Sequence, residues 1–187
     1  MIKFENVTFS YKGEKDRIFE NLSLHIKEGQ RVHLSGASGV GKTTLLRLIA
    51  GLERVKKGSI KIKDNARISV VFQEDRLIPF VSVKKNISLF SNDERSEKLL
   101  YELGLSDCAD MRVDELSGGM KRRVALARAL SRDFDILLLD EAFNGLDGET
   151  LLKVCDVVNK YTENKTVILV SHHEEEAQLL SAEKMEI

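Results

Sequence analysis

The chain has 187 residues, enough for one domain with a sizeable core, and its 42% hydrophobic and 32% charged residues are the balance of a folded globular protein rather than a disordered one. A formal net charge of -1 supplies no overall basic field, so nucleic acid is not an expected partner. The longest apolar runs, 136–139 and 167–170, are far too short to span a bilayer, and residues 1–5 contain no signal-peptide core, so any membrane role has to come through a partner.

In chain order, Ile2, Phe4, Val7 and Phe9 alternate with one slip and predict a half-buried strand over 2–9. A second strand is expected at 22–26, then a turn at 27–30 and a third strand at 31–35 that runs into a glycine-rich loop. Leu45, Leu46, Leu48 and Ile49 give helical spacing over 43–51, with Gly51 as the stop. Two more strands are expected at 58–63 and 67–72. From 82 to 110 the pattern is helical and polar without a strand, and it reads as a helical subdomain, approximately 75–118, inserted into an α/β core. A helix at 118–130 follows, then strand 134–139, helix 148–161, strand 166–170 and helix 174–180. Strands that are apolar throughout suit a parallel sheet covered on both faces, and strand–helix alternation points to right-handed crossovers. Cys108 and Cys155 have no metal-ligand spacing and read as free thiols of a reducing cytosol.

The loop Gly36-Ala37-Ser38-Gly39-Val40-Gly41-Lys42-Thr43 fits G-x-x-x-x-G-K-[ST] in full, between a predicted strand and a predicted helix. Glycines permit positive φ, so successive backbone N–H groups can wrap an anion, and the helix that opens near Thr43 and Thr44 points its positive end at the same place. Lys42 would supply a point charge to the β- and γ-phosphates of a nucleotide, and Thr43 a hydroxyl to Mg2+. Downstream, Asp140 and Glu141 close the buried strand Ile136-Leu137-Leu138-Leu139, where open α/β sheets place ligands. Alone, such a pair is an ordinary solvated strand end. Beside a phosphate loop, Asp140 fits the Mg2+-holding acid and Glu141 a group that activates or orients water.

Leu116-Ser117-Gly118-Gly119-Met120 resembles the LSGGQ signature of the ATP-binding cassette (ABC) ATPase family, and the helix-forming run after it is similar too. Independently, Ser117 can cap that helix, and Gly118 and Gly119 expose backbone N–H groups at its positive end. Other positions match singly. Tyr11 resembles the aromatic on which adenine stacks, Gln73 the glutamine that contacts Mg2+ and joins the core to the helical subdomain, and His172 the switch histidine that reads the γ-phosphate. Asn144-Gly145-Leu146-Asp147 resembles the D-loop, with Asp147 facing a second subunit. His25, His33 and His173 match no motif. Met120 stands where the family usually has Gln and Ala142 where it often has Pro. The resemblance runs from Ile2 to about Leu180, and the sequence continues only 15 residues past His172 (187 − 172), which implies a minimal or shortened version of the family's chain.

The resemblance implies an α/β phosphate-loop NTPase core with flanking helices, an inserted helical subdomain and an N-terminal antiparallel β region. It implies ATP and Mg2+ as ligands, and two chains closing head-to-tail over two ATP molecules. The partners it implies are a second cassette, identical or related, and transmembrane permease subunits, with the chain cytoplasmic and peripheral on the inner membrane face. The segment from Phe72 to Val83 resembles that of importer ATPases for small organic anions. Leu77, Ile78 and Phe80 there either anchor a permease helix or pack the subdomain junction. The alternative is a soluble ABC ATPase acting on a ribosome or nucleic-acid complex. A phosphate-loop kinase would need neither signature nor switch histidine. The basic clusters at 56–57, 84–85 and 121–123 read as solvated faces.

Overall fold

A computed structural model describes residues 1–13 and 16–187. Three strands, β1 (Ile2–Phe9), β2 (Phe19–Ile26) and β4 (Lys57–Ile62), form an antiparallel sheet in the order β2-β1-β4. The irregular alternation in β1 has a physical counterpart: its register against β2 slips between Phe4 and Val7 and again before Phe9. Asn6, within the slip, takes φ 49°.

The second sheet has five strands, β3 (Arg31–Ser35), β5 (Ile68–Val71), β6 (Ile136–Asp140), β7 (Thr166–Val170) and β8 (Glu183–Glu186), in the order β5-β6-β7-β3-β8. Every pairing in it is parallel. Its central strands are buried on both faces, which accounts for their unbroken apolar character. Ile136 and Leu138 pack with β1, β2, the first helix α1 (Lys42–Ile49) and Ile168 in one cluster. Leu137 and Leu139 pack on the other side with the helices. Alternation along a single strand thus welds two cores into one body.

Between β5 and β6 the chain is helical: α2 (Val83–Ser88), α3 (Asp93–Glu102), two short 3-10 turns (Ser106–Cys108 and Val113–Glu115) and α4 (Gly118–Ser131). The only extended pairing there among the described residues is a single antiparallel bridge, Ser82 with Arg112. Ser82, Asn92 and Ser117 start their helices as side-chain caps, accepting from Lys85, Arg95 and Met120 N–H groups. Alanines at 125, 127 and 129 let α4 lie close to α2 and the sheet, while Leu126 and Leu130 are fully buried. After β6 come α5 (Gly148–Tyr161) and α6 (Glu174–Leu179).

Most expected elements form. β2 begins at Phe19, three residues before the expected 22, and β8 was not expected at all. β8 is charged and exposed along most of its length and is held by backbone pairing to β3, from Val32 with Glu183 to Ser35 with Glu186. Both cysteines are buried and free. No helix among the described residues is long and apolar enough to cross a membrane.

Candidate active site

Four neighbouring strands deliver the candidate residues to one edge of the sheet. β3 ends at Ser35 and passes into the phosphate loop; β5 ends two residues before Gln73; β6 ends on Asp140; β7 ends two residues before His172. All four are parallel, so these are all carboxyl ends.

The loop 36–43 carries three glycines at positive φ, Gly36 at 154°, Gly39 at 80° and Gly41 at 108°. Gly41, at φ 108°, is the residue before α1. A Cβ there would lie 2.6 Å from Ile18 Cγ2 and 2.7 Å from Phe19 Cζ, so neither the backbone nor the space admits a side chain. Lys42 is only 8% exposed, and its ammonium donates to Gly36 O at 2.7 Å and Ala37 O at 3.0 Å. This buried cation is satisfied by two loop carbonyls, and no carboxylate is paired to it among the described residues. Thr43 Oγ1 donates to Asp140 Oδ1 at 3.1 Å. Asp140 is 2% exposed, and burial raises its pKa above the ordinary carboxylate value; the Thr43 hydrogen bond works against that rise, the Glu141 charge adds to it, and Arg122 and Lys42 oppose it. A hydroxyl and a buried carboxylate in contact beside a phosphate loop form an oxygen donor pair suited to a hard cation such as Mg2+, whose remaining ligands come from phosphate and water. The residues present therefore fit the ion.

Glu141 takes φ 49°, a left-handed conformation for a non-glycine residue, and is pinned there by its N–H donating to Val170 O at 2.9 Å. Its carboxylate gathers three neighbours: Asn144 Nδ2 donates to Oε2 at 2.7 Å, Gln73 Nε2 to the same oxygen at 3.3 Å, and His172 Nε2 lies 3.3 Å from Oε1. Tyr11 stands edge-on to Phe9, ring centroids 5.1 Å apart, and its hydroxyl is 3.1 Å from Thr44 Oγ1. That places an aromatic ring against the first turn of α1.

The turn at Ser117, Gly118 and Gly119 is elsewhere. Among the described residues no hydrogen bond or ion pair joins it to the phosphate loop. Ser117 caps α4, and Gly119 lies against the loop 144–147, where a Cβ on it would meet Gly145 O at 3.1 Å. Asp147 caps α5, accepting from Thr150 N–H and Thr150 Oγ1, both at 2.9 Å, and those bonds hold its carboxyl below the usual range. Leu77 packs against the helical core, whereas Ile78 and Phe80 are exposed, Phe80 by 74%. The three apolar residues thus divide between packing and surface.

The basic cluster at 121–123 corrects an expectation of a solvated face. Arg122 is 7% exposed and donates to Phe72 O at 2.8 Å and Gln73 O at 2.6 Å, with Asp75 Oδ1 3.2 Å from its Nη1. Arg128 adds donations to Arg76 O at 2.9 Å and Asp75 O at 3.1 Å. Two guanidinium groups of α4 therefore grip four carbonyls of the Gln73 loop. Next to His172, His33 Nε2 is 3.1 Å from Ser171 O, and Glu176 is 3% exposed with one oxygen lacking a partner among the described residues. Burial raises the Glu176 pKa; a Ser171 hydrogen bond and nearby histidines oppose the rise, and the Glu141 charge adds to it.

This loop, carboxylate pair and sheet edge are those of a phosphate-loop nucleotidase, and the 117–119 turn marks the cassette branch of that class. Comparison with known proteins agrees. The family description for ABC transporters matches residues 19–144. An uncharacterised ABC transporter ATP-binding protein of Haemophilus influenzae is 35% identical over 97% of this chain and 79% of its own length. The aliphatic sulfonates import ATP-binding protein SsuB 1 of Pseudomonas syringae pv. syringae is 40% identical over 88% of this chain and 71% of its own. The taurine import ATP-binding protein TauB of Ruegeria pomeroyi is 36% identical over 96% and 74%. Among solved structures, a dimeric post-hydrolysis state of the ATP-binding cassette MJ0796 bound to ADP and Pi superposes with a TM-score of 0.89 at 30% identity, covering 100% of this chain and 94% of that one. The chain belongs to the ABC transporter ATP-binding family and is an ATPase of that family.

Proposed function

We propose that the chain is the energy subunit of an importer for a small organic anion, working as a head-to-tail pair of cassettes beneath permease subunits at the inner face of the cell membrane. The relatives named for sulfonate and taurine import support this reading over a ribosomal or nucleic-acid role. The observation that carries the site is the convergence of Lys42, the Thr43–Asp140 contact and the Gln73–Glu141–His172 cluster on one sheet edge, with the Ser117 turn set apart from it.

In this reading the amides of residues 36–44, among them Gly36, Ala37, Ser38, Gly39, Val40 and Gly41, cradle the phosphates with Lys42, and Tyr11 stacks on the adenine. Thr43, Asp140 and Gln73 would hold Mg2+, which when bound neutralises phosphate charge. Glu141 takes the proton of the attacking water or orients it, and His172 donates toward the γ-phosphate. Ser117, Gly118 and Gly119 complete the partner's site, since in their own chain they are turned to no phosphate loop, and Asp147 borders that interface. The segment of approximately 75–118 acts as a helical subdomain that carries the turn. Permease docking is supported by exposed Ile78 and Phe80 and by a cleft of about 320 Å³ that includes Phe72, Phe90, Arg128 and Arg132.

The test is Mg-dependent ATP hydrolysis against protein concentration, with Glu141→Gln alongside. Specific activity should rise with concentration as pairs form, and the variant should bind ATP, accumulate as a dimer and barely turn over. A monomer with constant activity refutes the shared site; near-parental turnover by the variant refutes the role of Glu141.

A further inference from the structure

We propose that Asn144 is a positioning residue for Glu141: its side-chain amide fixes the direction in which that carboxylate faces the nucleotide, and it does so from the loop on which the Ser117–Gly119 turn rests. This builds on the assignment of Glu141 as the water-activating group.

Glu141 needs an external hold on its side chain. Its main chain is fixed by the bond to Val170 O, but the carboxylate sits at the end of a rotatable stem. Of its three neighbours, Gln73 and His172 stand at 3.3 Å, and the His172 side chain is more than half exposed. Asn144 Nδ2 is the closest, at 2.7 Å. Asn144 also reaches the same residue a second time, its N–H donating to Glu141 O at 3.3 Å. Main chain and side chain of Glu141 are therefore both closed onto one residue three positions later. Oε2, accepting from Asn144 and Gln73, has both lone pairs engaged, whereas Oε1 has only the His172 ring nitrogen beside it at 3.3 Å and keeps a lone pair able to receive a proton from water. Asn144 thereby chooses which oxygen works.

The next residue extends the connection. Gly145 O lies where a Cβ on Gly119 would come within 3.1 Å, and Leu146 Cδ2 at 3.8 Å, so the residues directly after Asn144 lie against the glycine turn that heads α4. In a pair of cassettes that turn would carry the partner's nucleotide. A shift of the turn passes through Gly145 to Asn144, and from there to the aim of Glu141 in its own chain. Asn144 is exposed, so its side chain can be altered without opening the core.

The experiment compares steady-state Mg-ATPase of the full chain with Asn144→Ala, Asn144→Asp and Glu141→Gln, at a concentration where pairs are saturated. Asn144→Ala removes the donor without adding charge, and Asn144→Asp keeps the shape and reverses the donor. The expected result is a fall in kcat of about tenfold for Asn144→Ala and at least as much for Asn144→Asp, with KM for ATP within about twofold of the parent and the melting temperature unchanged. A kcat for Asn144→Ala within about twofold of the parent overturns the proposal, as does a rise in KM at constant kcat, the mark of a binding contact. If Glu141→Gln is inactive and Asn144→Ala is not impaired, only the role of Asn144 falls. If Glu141→Gln turns over like the parent, the assignment beneath it falls.

Discussion

Replacing Arg122 with Met keeps the apolar stem and removes the guanidinium, which isolates what its charge does. Two charge-assisted donations, to Phe72 O and Gln73 O, are lost, together with the contact to Asp75. A hydrogen bond to a charged group contributes about 1.5–3 kcal/mol, and breaking a buried ion pair costs about 3–5 kcal/mol. Both figures need reducing here. Gln73 is exposed, so its carbonyl can regain water, and the Asp75 side chain retains 26% of its exposure. A net loss of about 2–3 kcal/mol follows, which in a domain of this size lowers Tm by about 4–12 °C. Thermal unfolding followed by far-UV circular dichroism reads it directly. Asp75→Asn in the same background should recover part of the loss, because the carboxylate left behind is itself unfavourable, and this non-additivity isolates the pair. A Tm for Arg122→Met within about 1 °C of the parent would show that the grip on the Gln73 loop adds nothing to stability.

Lys42→Ala should weaken ATP binding by about 10- to 100-fold, the equivalent of one charge-assisted contact, and calorimetry that finds parental affinity would remove Lys42 from the phosphate site. Ser117→Arg should leave ATP binding by the single chain intact while abolishing concentration-dependent hydrolysis; unchanged hydrolysis would end the shared-site reading. Glu176→Gln should be more stable than the parent at pH 7. Because burial raises this carboxyl above its ordinary 4.5, the folded chain binds the proton more tightly than the unfolded one, so the parent loses stability as pH rises from about that value through the folded pKa. The advantage of the variant in urea unfolding should therefore disappear below about pH 4.5, and an advantage independent of pH would refute the linkage.

Much of this site was legible because its parts are local. Gly36 to Thr43 spell their own geometry, and the run of Ile136 to Asp140 announces a strand covered on both faces and ended by a carboxylate. Single motif residues such as Gln73 and His172 became legible only through the family resemblance, since a glutamine or histidine after a strand has no intrinsic meaning. What stayed hidden depends on long-range partners. Arg122 looks like its neighbours Lys121 and Arg123, and only the approach of the Gln73 loop buries it. Asn86 reads as a surface residue of a polar helix, yet it is fully buried, accepting from Ile78 N–H and donating to the carbonyls of Ile78, Val81 and Ser82. It shapes the turn that presents Phe80. β8 carries no clear alternation because most of its side chains are exposed, Met185 alone of the strand packing on the core; backbone pairing to the open edge of β3 places it. His33 and Ser171 touch across the sheet, a contact no local pattern encodes.

The strand order β5-β6-β7-β3-β8 also sets a timetable. β3 carries the phosphate loop and leaves the ribosome early, but Arg31 pairs with Val167 and Val32 with Glu183. Both edges of β3 therefore stay unpaired until nearly all of the described chain has been made, and long-range parallel pairing of this kind is slow and exposed to aggregation. β6, β7 and the residues that follow them are needed before any complete nucleotide site exists. ATP stabilises only the finished fold, so the chain draws no stability from its own ligand until β7 and β8 have closed on β3.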